Sequence, residues 1–159
     1  MLFLGPLYHL TDPIERLTAL REAGRILKPG GLIFAAAINR FASLLNGLFE
    51  GAIDDPRFVE IVGQDLKNGQ HRNTTGNPNY FTTAFFHRPE ELSAEVTESG
   101  FTLLDLAPIE GPAWLASDFQ SRWSDPSRRE QLLALIRQGE QYPSLLAITL
   151  HMLAIARND

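Results

Sequence analysis

Residues 19–40, ALREAGRILKPGGLIFAAAINR, run from a helical pattern into a strand pattern with only a turn between them. Upstream of the turn, apolar residues recur at Ile14, Leu17, Leu20, Ala23 and Leu27, while Arg16, Arg21, Glu22 and Arg25 fall largely on the other side. That spacing predicts an amphipathic helix. Asp12 is placed to cap it, Pro13 suits its first turn, and Glu15 stands where a capping box needs it. Lys28-Pro29-Gly30-Gly31 stops the helix, and the unbroken apolar run Leu32 to Ile38 then reads as a strand buried on both faces. Met1 to Leu4 is a further short apolar run, closed by Gly5-Pro6. Strand, helix and strand with short connections predict a parallel unit with a right-handed crossover.

Working outward, residues 39–80 change character. Short helical patterns at Ala42 to Phe49 and Pro56 to Leu66 precede the polar stretch KNGQHRNTTGNPNY at 67–80, so 39–80 reads as a lid-like insertion. Tyr80 to Phe86 is aromatic enough for a short strand or an extended lid segment. A helix is expected from His87-Arg88-Pro89 to a cap at Gly100, a strand over Phe101 to Ala107, a helix over Ser127 to Gln138, and a final strand within Leu145 to Ala156.

The chain has 159 residues, no cysteine and a net charge of −5. Its length suits a single domain spanning 1–159. The acidic balance argues against nucleic-acid and anionic-membrane partners, which require a basic surface. Without cysteine there is no disulfide framework, thiolate nucleophile or cysteine-ligated zinc, and cytoplasmic residence is the expectation. The run at 145–156 is interrupted by Thr149 and His151 and is too short to span a bilayer. Four scattered histidines without an H-x-x-x-H pair predict no metal site.

Three segments taken in order, GPLYHL at 5–10, residues 19–40, and HRPEELSAEVTESGFTLLDL at 87–106, resemble the C-terminal half of a class I S-adenosylmethionine-dependent methyltransferase. The resemblance implies an α/β fold: a partial Rossmann-like sheet of about four strands, mostly parallel with an antiparallel last strand at 147–156, flanked by helices. It implies a parent enzyme that moves a methyl group from S-adenosylmethionine to a small-molecule acceptor. The family's glycine-rich turn after its first strand, and the acidic residue that binds the ribose, have no counterpart here. In family terms the chain looks truncated, holding strands four to seven, and weak or absent cofactor binding is expected. The first strand would then expose an open edge. An alternative of another class follows, a non-catalytic interaction module or pseudoenzyme that forms a homodimer through that edge.

Within the resemblance, the loop after the first strand lies beside the methionine part of the cofactor, which nominates Gly5, Pro6 and Leu7 as cofactor contacts. His9 is the candidate base, because imidazole titrates near neutrality, with Tyr8 beside it. Asn39 and Arg40 end the second strand on the same side and read as substrate contacts, although Asn39 equally suits a helix cap. His71, Arg72 and Tyr80 would bind an acidic or phenolic substrate if the polar stretch is a lid, and Trp114 would line a substrate pocket if it does more than pack.

Overall fold

The computed structural model describes residues 1–140 and 142–159. Strand β1 is Leu2–Phe3, and a single helical turn, α1 at Pro6–His9, follows it. Helix α2, Pro13–Ile26, leads to β2, Leu32–Asn39. The excursion beyond β2 carries α3, Ala42–Glu50, and α4, Pro56–Asn68, before β3, Gln70–His71, and β4, Ala84–His87, return the chain to the sheet. Helix α5, Pro89–Glu98, precedes β5, Phe101–Pro108, and a second excursion holds α6, Phe119–Ser124, and α7, Pro126–Gly139. Strand β6, His151–Asn158, closes the chain.

These strands form one six-stranded sheet in the order β3-β4-β2-β6-β5, with β1 also beside β2. β1 pairs with β2 at Phe34 and Ala35 and β4 pairs at Ile38 and Asn39, so both share one edge of β2 at successive heights. β6 runs antiparallel to β2 and β5 antiparallel to β6. β1, β2, β4 and β5 therefore point the same way, and their carboxyl ends share one edge of the sheet. The fold is the α/β Rossmann-like arrangement expected; β4 is the short strand that Tyr80 to Phe86 offered as one of two readings, and β3 is a strand beyond those expected.

β2 is buried from Ala35 to its end, as an apolar run between two layers must be. Ile33, Ala35 and Ala37 meet Leu20, Ala23, Leu92 and Val96 on the face covered by α2 and α5, and Ile38 faces Ala42, Ala84 and Phe86 on the other. Three local expectations are corrected. Ile14 is 71% exposed while Arg16 is 2% exposed, so α2 turns its arginine inward. Glu95 of α5 is the reason, because Arg16 Nε and Nη2 both donate to its carboxylate at 2.7–3.0 Å. Residues 143–148 form 3-10 turns, so the last strand begins at His151 instead of in the Leu145 region. The segment at 5–9 is a helical turn and not an open loop: Pro6 fixes its start and the Leu10 N–H closes it on the Pro6 carbonyl at 3.0 Å.

Candidate functional site

In open α/β sheets, ligands gather outside the carboxyl ends of the parallel strands. Two cavities lie along that edge here. The smaller, about 280 Å³, is walled by Ile38 and Phe86 at the ends of β2 and β4, by Ser43 and Asn46 of α3, by His71, Tyr80 and Phe81, and by His151 at the start of β6. The larger, about 710 Å³, lies beyond β5 under α6 and α7, with Glu110 and Trp114 in its wall. Between them stands one hydrogen-bonded pair: His151 Nδ1 lies 2.5 Å from Glu110 Oε1.

That pair is held from several sides. The other oxygen of Glu110 accepts from the His151 backbone N–H and from Thr149 Oγ1, each at 2.9 Å. Burial pushes the Glu110 carboxyl up, but the His151 ring and backbone N–H outweigh it and hold the group at about 2. Glu110 is thus ionised at neutral pH and fixes the orientation of the imidazole. Nε2 of His151 makes no hydrogen bond to the described residues, and the side chain is 41% exposed.

His71 is 1% exposed, with Nδ1 at 2.9 Å from Asp65 Oδ2 and Nε2 at 2.8 Å from the Tyr80 carbonyl. Both ring nitrogens face oxygen atoms, so the imidazole is held at both ends. Ser43 Oγ donates to the same Asp65 oxygen at 2.6 Å, and the ring of Phe86 stacks on His71 at 4.7 Å. His71 is therefore a fixed wall of the cavity. Tyr80 donates its hydroxyl to Asp55 at 3.0 Å and packs on Phe58. Burial and that carboxylate raise the Tyr80 pKa, while Asp55 is held at about 2 by Arg57. Phe81, with φ 63°, lies in the left-handed region that non-glycine residues seldom adopt, and its ring stands 6.4 Å from His9. Asn73 Nδ2 holds the Phe81 carbonyl at 2.8 Å.

The other residues expected at the site are distributed differently. His9 is exposed, with Tyr8 and Phe81 as its aromatic neighbours, and Tyr8 is half-buried against Ile38 and Phe86. Leu7 is fully buried in the core, which leaves Gly5 and Pro6 as the outward part of that turn. Asn39 is fully buried: its amide donates to the Leu146 carbonyl at 2.6 Å and its oxygen accepts from the Phe41 N–H in a local turn, while α3 starts from Phe41 without a side-chain cap, so neither the cap nor the substrate-contact expectation describes it. Arg40, 2% exposed, donates to the Phe86 carbonyl at 2.7 Å and to Glu91 at 2.6 Å. It ties β2 to β4 and α5 and does not reach the edge. Arg72 spends its guanidinium on the backbone, donating to the His71 carbonyl at 2.9 Å and to the Ala84 carbonyl at 3.3 Å, beside a separate groove lined by Arg57 and Thr75. Trp114 does line the large cavity, its indole N–H donating to the Ile148 carbonyl at 2.9 Å.

Missed by the pattern reading were His151, Glu110, Asp65 and Phe81. His151 interrupts the apolar run of sequence at 145–156 and opens β6, and that interruption is the one signal the sequence carries for it.

No protein-family model and no curated protein sequence matches the chain. Solved structures do. An S-adenosylmethionine-dependent methyltransferase from Methanosarcina mazei superposes with a TM-score of 0.52 at 16% identity, over 98% of this chain and 57% of that one. A second, from Mesorhizobium loti, gives 0.53 at 12% identity, over 98% and 59%. The chain has the fold of these methyltransferases. It spans less than three-fifths of the length of either. Among the described residues no helix is long and apolar enough to cross a membrane.

The fold raises the question of S-adenosylmethionine, and the residues present do not by themselves fit it. Four turns lead from a strand of the parallel set into helical structure. The first is Leu4-Gly5, where Tyr8 Oη already approaches; the second passes through the bulky Phe41; the third passes through Arg88; the fourth, after β5, passes through Gly111, whose N–H already donates to Thr149 Oγ1 at 3.3 Å. None offers the run of close backbone N–H groups that a glycine-rich turn presents to the cofactor.

Proposed function

We propose that this chain is the acceptor-binding half of a small-molecule methyltransferase, in which His151 takes the proton of an O–H or N–H acceptor. The observation that carries the reading is the His151–Glu110 pair at the carboxyl edge of the sheet, with Nδ1 of the imidazole pinned and the residue in the wall of the small cavity. A carboxylate on Nδ1 leaves the Nε2 lone pair available and steadies the charge the ring acquires on accepting a proton. His9 and Tyr8 stand near the same cavity through Phe81 and serve as its outer rim. Gly5 and Pro6 are offered as the cofactor-facing turn. The second half of the cofactor site, a glycine-rich turn with an acidic ribose contact, is supplied from outside these 159 residues. The acidic surface favours a small molecule over nucleic acid.

The protonation pattern of His151 tests this. Nitrogen-15 NMR of the ring should show the neutral form protonated on Nδ1 and bare on Nε2, and Glu110→Gln should shift the balance toward the other tautomer. A neutral ring protonated on Nε2, or a balance unmoved by Glu110→Gln, would remove His151 from the role.

One observation favours a second reading. The outer edge of β1 has no strand partner among the described residues, and Leu2 beside it is 73% exposed. Such an edge accepts a strand from another chain, so an interaction module that forms a homodimer there is the alternative.

A further inference from the structure

The larger cavity is the unexplained feature. It lies next to the proposed proton acceptor, shares α3 and the Glu110 side of the pair with that site but is otherwise built from the segment beyond β5, and it collects exposed apolar surface. Phe49 at 52% exposed, Ile109 at 50% and Trp123 at 42% all open onto it. Its walls are aromatic: the Trp114 ring meets Phe49 edge-on at 5.4 Å, and Phe119 stacks with Trp123 at 5.5 Å. The Trp114 indole N–H is occupied by the Ile148 carbonyl, so that ring presents only apolar surface. Leu133 and Ile136 of α7 form the roof. At about 710 Å³ the space matches a drug-sized molecule, for which sites typically run roughly 300–1,000 Å³.

The charged residues in the wall all carry the same sign. Glu110, Asp118 and Glu140 line the cavity and no lysine or arginine does. Asp118 is paired with Arg122 and Arg128, each at 2.6 Å, and Glu110 with His151; Arg129, 5.8 Å over the Trp123 ring, donates to the Trp123 carbonyl and is not itself a lining residue, so among the described residues the wall has no free cation of its own. An anionic ligand would lose its hydration and gain nothing in return.

We infer that this cavity is a binding site for a flat, apolar small molecule that is neutral or cationic, and that it excludes anions of the same shape. Calling that molecule the methyl acceptor rests on the proposed function; its binding does not, because no cofactor takes part. α6 and α7 then act as the cover that an apolar ligand needs, and the two aromatic pairs act as the faces between which it slides.

Both tryptophans of the chain line this cavity, so tryptophan emission reports binding there, and variants in the wall localise it. The probes are N-phenyl-1-naphthylamine, which is neutral, and 1-anilinonaphthalene-8-sulfonate, which has the same rings and a negative charge. The neutral probe should quench tryptophan emission saturably at one site per chain, and the sulfonate should bind at least about tenfold more weakly. Ser117→Phe at the exposed mouth and Ala116→Phe within the wall should each weaken the neutral probe by about tenfold or more, with circular dichroism melts confirming that the variants fold. No saturable quenching, equal affinity for the two probes, or folded variants that bind as the parent does would each overturn the inference. Loss of methyl transfer in a reconstituted enzyme with probe binding intact would count against the proposed function and leave this site standing.

Discussion

Replacing Glu95 with alanine lowers the free energy of unfolding by about 3–5 kcal/mol, read from the urea midpoint. The size follows from what remains behind. Arg16 is 2% exposed, lies 3.7 Å over the Phe85 ring, and donates to the Leu10 carbonyl with Nη1. Without Glu95 its charge stays in the core with no counter-charge. His87 also loses its acceptor, since its Nε2 stands 3.1 Å from Glu95 Oε2. His87 is completely buried, its Nδ1 has no partner, and burial pushes its pKa down, so the ring is neutral and donates from Nε2. The comparison is Arg25→Ala, which removes an exposed pair with Glu22 at 2.9 Å and should cost under about 1 kcal/mol. Equal losses in the two variants would mean that the Arg16–Glu95–His87 cluster is solvated and does not brace α2 against α5.

Gly69→Ala is expected to destabilise by about 3 kcal/mol, combining left-handed backbone with a steric clash. Gly69 has φ +74°, and an added Cβ would sit 2.4 Å from the Phe86 carbonyl oxygen and 2.6 Å from Arg40 Nη2. The same glycine ends α4, donating to the Asp65 carbonyl, and accepts the Phe86 N–H, each at 2.8 Å. Moving it therefore disturbs Asp65, Arg40 and β4 together, and with them the His71 wall of the small cavity. Gly76→Ala provides the control: its φ is also +74° but nothing lies within 4 Å of the added atom, so only the backbone term of about 1–2 kcal/mol should appear. Thermal melts of the two variants side by side give the difference. A Gly69→Ala protein no less stable than Gly76→Ala would show that β4 does not press on this turn.

Much of the framework can be read from local pattern because local physics decides it. Asp12 caps α2 by accepting from the Ile14 N–H, Gly30 adopts φ +75° after the helix, and the apolar run of β2 is buried. Patterns fail where the deciding partner is remote. Arg16 sits at a position that reads as solvent-facing, and Glu95, 79 residues away, draws it inward. Arg40 reads as a strand-end contact for a ligand, yet the Phe86 carbonyl and Glu91 of α5 claim it. At the site, the titratable residue nearest the turn after β1, His9, was visible through its position in the resemblance. His151 was hidden because its role depends on Glu110, 41 residues upstream and beyond β5. The polar stretch at 67–80 reads as lid, but it places His71 in β3, where pairing with Ala84 of β4 buries it.

The measurement that bears most directly on the half-site account is a calorimetric titration of the 159-residue chain with S-adenosylmethionine, with the solution mass recorded by light scattering in the same buffer. The account predicts no saturable heat in the micromolar range, because no turn after a parallel strand presents a glycine-rich cradle; a dimeric mass would add that the open edge of β1 has found a second copy. Saturable micromolar binding would contradict it, and would mean that these residues build a complete cofactor pocket of their own.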